Sequence, residues 1–101
     1  MDYFSYATGT LCCEDVSAEA VAGELGTPLY LYSAGAIRNQ YQAIEGAFSS
    51  CGIDPLVCYS VKANSNLAIL SEMAELGSGF DIVSAAELRR VLEVTGDLSR
   101  T

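Results

Sequence analysis

The sequence predicts a parallel α/β fold, and three features carry that prediction. Short apolar runs alternate with stripes at helical spacing, in the order strand, helix, strand, helix, strand, helix. Each strand begins roughly 25 residues after the last, the size of one βα unit. The run Leu56-Val57-Cys58-Tyr59-Ser60-Val61 is nearly all apolar and does not alternate, as expected of a strand covered on both faces. This rhythm does not separate an open doubly wound sheet from a (β/α)8 barrel.

Residues 1–13 mix aromatics with a Thr8-Gly9-Thr10 turn and suit short strands or a hairpin. Ser17 starts a helix, with Val16 and Val21 at the two positions of a hydrophobic staple. Gly26 stops it and Pro28 follows. Leu29-Tyr30-Leu31-Tyr32 reads as the first strand. Ser33 caps a longer helix in which Ile37, Tyr41, Ile44 and Phe48 share one face. Residues 49–55 carry Ser, Gly, Asp and Pro and read as a loop. Residues 56–61 form the second strand. Ile69, Leu70, Met73 and Leu76 make a helical stripe ended by Gly77. Residues 80–83 form the third strand. Ser84-Ala85-Ala86-Glu87 has the capping-box pattern, and Leu88, Val91 and Leu92 continue a helical face towards Gly96. Residues 97–101 read as the loop before another strand, so the sequence is expected to be the N-terminal part of a longer protein.

Half of the 101 residues are apolar and 18% are charged, which suits a folded domain. Acidic residues outnumber basic ones 13 to 5, for a net charge of −8. That balance argues against binding nucleic-acid phosphates or an anionic membrane surface. The longest uncharged stretch, residues 25–37, is too short to span a bilayer. The N-terminus has no basic, apolar signal-peptide pattern. The four cysteines, at 12, 13, 51 and 58, form no C-x-x-C, and neighbours make an awkward disulfide. The expected compartment is the reducing cytoplasm with free thiols. The absence of His removes Cys/His zinc sites and imidazole catalysis from these residues.

Lys62 is the only lysine, and no other charged residue stands between Asp54 and Glu72. It falls at the end of the most apolar strand. In parallel α/β folds, the carboxyl ends of strands are where sites are built. Low-dielectric walls there would push an amine's pKa down. A neutral amine can attack an aldehyde and form a Schiff base. The competing reading is a solvated cation whose stem covers apolar surface.

The segment Tyr59-Ser60-Val61-Lys62-Ala63-Asn64 resembles the cofactor-lysine motif of the group IV pyridoxal-phosphate decarboxylases. That family includes the ornithine, arginine and diaminopimelate decarboxylases and has an alanine-racemase-like barrel. Ile69, Leu70, Met73 and Gly77 fall on the motif's later apolar and glycine places. Ser60 departs from the usual Ala or Pro. Three ordered segments are similar to those of bacterial diaminopimelate decarboxylases: residues 26–33, 61–66, and 77–84 followed by Glu87-Leu88.

The resemblance implies an α/β fold that is the N-terminal portion of a pyridoxal-phosphate-binding (β/α)8 barrel. Residues 1–33 would belong with a separate β-domain, and residues 34–101 would start the barrel. Residues 56–62 would then be barrel strand one and 80–83 strand two. Lys62 would be the catalytic, cofactor-holding lysine, and the cofactor pyridoxal 5′-phosphate. Asp81 and Glu87 occupy acidic positions that the resemblance places near it, Asp81 as a cofactor-side carboxylate. Glu87 has a competing role in the Ser84 capping box. The implied reaction is decarboxylation of meso-2,6-diaminopimelate to L-lysine, by a cytoplasmic homodimer acting on a small-molecule amino acid. The family's phosphate-binding glycines, ring-stacking His and proton-donating Cys come later in its sequences, so these residues alone are expected to be inactive. The alternatives are an ornithine, arginine or carboxynorspermidine decarboxylase, or a non-catalytic α/β remnant. Cys58 is expected in the core, Tyr30, Tyr32 and Tyr41 to pack, and Arg89 and Arg90 to be exposed helix cations.

Overall fold

Thr8 and Gly9 turn the chain back on itself. Both have positive φ, 51° and 81°, which is the geometry of a two-residue hairpin turn and favours glycine at the second place. The computed structural model describes residues 2–101 and divides into two compact units, one ending at Ile37 and the other spanning Arg38–Thr101.

In the first unit, β1 (Phe4–Ala7) and β2 (Thr10–Cys13) form the antiparallel hairpin, with Ala7 opposite Thr10. A short third strand, β3 (Val16–Ser17), adds to β2 with Val16 opposite Cys13. Only two residues separate β2 from β3, and that brevity hid the strand from pattern reading. Helix α1 (Ala18–Leu25) packs on β2 and β3. Ser17 caps it as expected, its Oγ accepting from the Ala20 N–H at 3.2 Å. The Gly26 N–H closes the far end on the Ala22 carbonyl.

Residues 29–32 are not a strand. Leu29 and Leu31 are half-buried while Tyr30 and Tyr32 are exposed, so the period of two survives. No strand among the described residues pairs with the segment. β-propensity reports fit to a pleated, paired surface, and here the pairing is missing. Tyr30 and Tyr32 therefore do not enter the core. Their rings stack on each other, with centroids 6.4 Å apart.

Helix α2 (Ala34–Ser50) begins where predicted, its N-terminus capped by Ser33, which accepts from the Ala36 N–H at 3.0 Å. It runs one residue past Ser49, so the loop begins at Cys51. Tyr41 is its buried residue, while Ile44 and Phe48 stay about half exposed.

The second unit carries the βαβ pattern. β4 (Cys58–Ser60) and β5 (Gly79–Asp81) pair in parallel, with Tyr59 opposite Phe80. Helix α3 (Leu67–Glu75) makes the crossover and α4 (Ala85–Leu92) follows. α3 buries Ile69, Leu70 and Met73 of the predicted stripe, while Leu76 is the C-cap and only half-buried. The core centres on Val61, Leu70 and Val91, with Phe80 and Tyr41. α3 and α4 lie against each other. Gly79 is required by close approach: a Cβ there would strike the Arg100 carbonyl oxygen and come within 2.8 Å of Cys58 Sγ.

Four expectations are corrected. β4 covers three of the six residues predicted, because Val61 already turns into a 3-10 helix and Leu56 is 60% exposed. The apolar run is not covered on both faces: Leu56 is exposed, and Tyr59 and Ser60 are only half-buried. Cys58 is exposed instead of core. The third strand is 79–81, starting one residue earlier and ending two residues earlier than the predicted 80–83.

Candidate functional site

Lys62 sits in the 3-10 turn Val61–Ala63, two residues beyond the carboxyl end of β4. Val61 beside it is fully buried and Lys62 is exposed. A buried anchor next to an exposed amine fixes where the lysine leaves the sheet. The described residues do not wall that amine off from water.

Asp81 is the last residue of β5 and is exposed. It pairs in register with Ser60, the last residue of β4. Lys62 and Asp81 therefore leave the same carboxyl edge of two adjacent parallel strands. Among the described residues no ion pair joins them, and the ion pair present is Arg38 to Glu72 at 2.7 Å.

Glu87 is occupied elsewhere. Its Oε1 accepts from the Val83 N–H at 3.1 Å, while its own N–H donates to Ser84 Oγ at 3.1 Å. This is the capping box read from the sequence, with the side chain reaching one residue further back. The carboxylate also sits at the positive end of α4.

The loop after Lys62 is tied down at several points. Tyr59 Oη–H donates to the Asn64 carbonyl at 2.7 Å. Asn64 Oδ1 accepts from the Asn66 N–H, and Asn66 Oδ1 caps α3 through the Ala68 N–H at 2.9 Å. From α4, Arg90 Nε donates to the Ser65 carbonyl at 2.8 Å. Arg89 and Arg90 are both exposed as expected, yet Arg90 is not simply solvated. Sequence reading missed Tyr59 and Arg90 as loop partners. Tyr59 had a signal in its place at the head of the lysine motif. Arg90 had none, because only the fold brings it back to a carbonyl 25 residues earlier.

The perturbed ionisations lie off this loop. Burial, and then Glu14, push the Cys13 thiol up. Burial pushes the Tyr41 phenol up, reinforced by its hydrogen bond to Glu45 at 3.0 Å. The Ser99 N–H holds the Asp97 carboxyl below its ordinary value.

What this edge offers is one exposed amine on a pinned turn, a carboxylate on the neighbouring strand end, and an ordered loop between them. That donor set suits covalent capture of a carbonyl compound. Among the described residues no cluster of metal-ligating side chains is present.

Known proteins resemble this chain in sequence and in fold. Residues 34–101 match the family model described as the pyridoxal-binding domain of pyridoxal-dependent decarboxylases. The chain is 50% identical over 92 residues to the diaminopimelate decarboxylase of Neisseria meningitidis serogroup B, covering 91% of this chain and 22% of that protein. It is 50% identical over 97 residues to the one from Pseudomonas aeruginosa, covering 96% of this chain and 23% of that protein. The crystal structure of diaminopimelate decarboxylase from M. jannaschii in co-complex with L-lysine superposes with a TM-score of 0.84 at 33% identity. That match covers 92% of this chain and 22% of the other. The chain thus spans less than a quarter of the length of the curated relatives it matches.

Proposed function

The chain belongs to the pyridoxal-dependent decarboxylases, and from that premise we propose that the full-length protein converts meso-2,6-diaminopimelate to L-lysine and carbon dioxide. The observation that carries the proposal is the placement of Lys62: the only lysine of the sequence, exposed on a turn at the carboxyl edge of a parallel strand pair. The substrate follows from relatives named diaminopimelate decarboxylase at about half identity. An L-lysine complex of a structural neighbour agrees with the product.

The residues present fit pyridoxal phosphate. An aldehyde cofactor needs a reachable amine, and Lys62 is reachable, with its turn held by the buried Val61. When bound, the cofactor supplies an electron-withdrawing ring that stabilises the electron pair left by departing carbon dioxide. Lys62 Nζ would hold the cofactor through its aldehyde. Asp81 stands on the same edge, at the end of the neighbouring strand. Residues 1–33 are assigned to a β-domain, and residues 34–101 to the start of a (β/α)8 barrel that the remaining sequence completes. The same reading makes the protein a cytoplasmic homodimer. These 101 residues contain no His, so any histidine role must be filled from beyond them.

The test is turnover. Full-length protein with pyridoxal phosphate should release carbon dioxide from meso-diaminopimelate and form L-lysine, and Lys62→Ala should abolish it. Turnover of ornithine or arginine instead would move the assignment to another member of the family. Undiminished turnover by Lys62→Ala would end it.

A further inference from the structure

We propose that Arg90 is a positioning residue for Lys62, acting through the Ser65 carbonyl. The proposal deepens the reading of Lys62 as the cofactor amine and rests on it. Ser65 is three residues beyond Lys62, in the loop that joins its turn to α3. That loop is held by Tyr59 at the Asn64 carbonyl and by Arg90 at the Ser65 carbonyl. The Tyr59 tie comes from β4 itself, the strand that leads into the turn. The Arg90 tie comes from α4, which follows β5, the strand that ends in Asp81. Arg90 is thus a side-chain tie between the lysine-bearing loop and the helix that follows the carboxylate's strand. Val91, the next residue, is fully buried, so the backbone from which Arg90 reaches is anchored in the core.

The bond is made by Nε, with no carboxylate hydrogen-bonded to the guanidinium among the described residues. That detail separates positioning from charge. Glutamine carries its amide nitrogen the same number of bonds from the backbone as arginine carries Nε. Arg90→Gln therefore keeps a donor for Ser65 while removing the charge. Arg90→Met keeps the stem and removes both.

The experiment compares wild type, Arg90→Gln, Arg90→Met and Arg90→Ala in the full-length holoenzyme, by kcat, KM and the visible circular-dichroism band of bound pyridoxal phosphate. Thermal unfolding is recorded alongside. Met and Ala are expected to lower kcat on the order of tenfold, the scale of one lost hydrogen bond and a displaced reacting group. KM should change much less, and the circular-dichroism band should shift. Gln should recover most of the lost rate and the band. Equal losses in Gln and Met would mean that the charge matters and not the bond, and would overturn the proposal. So would a Met variant with wild-type kcat and band, or a kcat loss that only tracks a fall in thermal midpoint. Lys62→Ala runs in parallel: a retained cofactor band and retained turnover there would show that the underlying reading had failed, independently of Arg90.

Discussion

Glu87 distinguishes a structural carboxylate from a chemical one, and two substitutions separate them. Its Oε1 accepts one backbone N–H, from Val83 at 3.1 Å, at the start of α4. Glu87→Gln keeps an acceptor oxygen in the same place and loses only the charge at the helix N-terminus. That loss is worth about 0.3–1 kcal/mol. Glu87→Ala loses the charge and the hydrogen bond together, adding about 0.5–1.5 kcal/mol. Ala should therefore destabilise about two to three times as much as Gln. The assay is thermal or urea unfolding of the full-length protein, with the pH titration of the cofactor's visible absorbance recorded on the same samples. Gln should leave that titration where it is in wild type. The reasoning is refuted if Gln and Ala destabilise equally, or if Gln displaces the titration, since a charge acting on Lys62 would do the latter.

Three further outcomes follow from the packing. Leu70→Ala, at a fully buried site in α3, should cost about 2–5 kcal/mol in denaturant unfolding, far more than any exposed change on the same helix. Gly79→Ala should destabilise by about 1–3 kcal/mol, because the added methyl meets the Arg100 backbone and Cys58, and Ser78→Ala next to it provides the comparison. Tyr41 has a folded pKa above its unfolded value of 10.0, so its neutral form is the one the fold favours. Its contribution is full below pH 10.0 and is lost as pH rises through the folded pKa, and stability measured across alkaline pH should fall less steeply in Tyr41→Phe.

Local chemistry was legible where one residue acts on its neighbours. Ser17, Ser33 and Ser84 cap the helices they were read to cap, and the α3 stripe Ile69, Leu70 and Met73 is buried. Strands were less legible, because a strand is defined by a partner and the partner is remote in sequence. Leu29-Tyr30-Leu31-Tyr32 has the composition of a strand and no ladder, whereas Val16-Ser17 lacks the composition and gains a ladder from a two-residue turn. Cys58 is expected in the core because free cysteines are among the most buried residues, yet at the start of β4 it is exposed. At the candidate site, a lone lysine after an apolar run was visible by position and by motif. The ties at Asn64 and Ser65 were not, since a backbone carbonyl carries no sequence signature for the side chain that will find it.

The most direct measurement is to reduce the full-length protein with borohydride in the presence of pyridoxal phosphate, digest it and map the modified residue by mass spectrometry. The pyridoxyl group should appear on the peptide containing Tyr59-Ser60-Val61-Lys62, with Lys62 itself carrying the added mass and Lys62→Ala unlabelled. Labelling confined to a different lysine, with Lys62 unmodified, would contradict the assignment of this turn as the cofactor site.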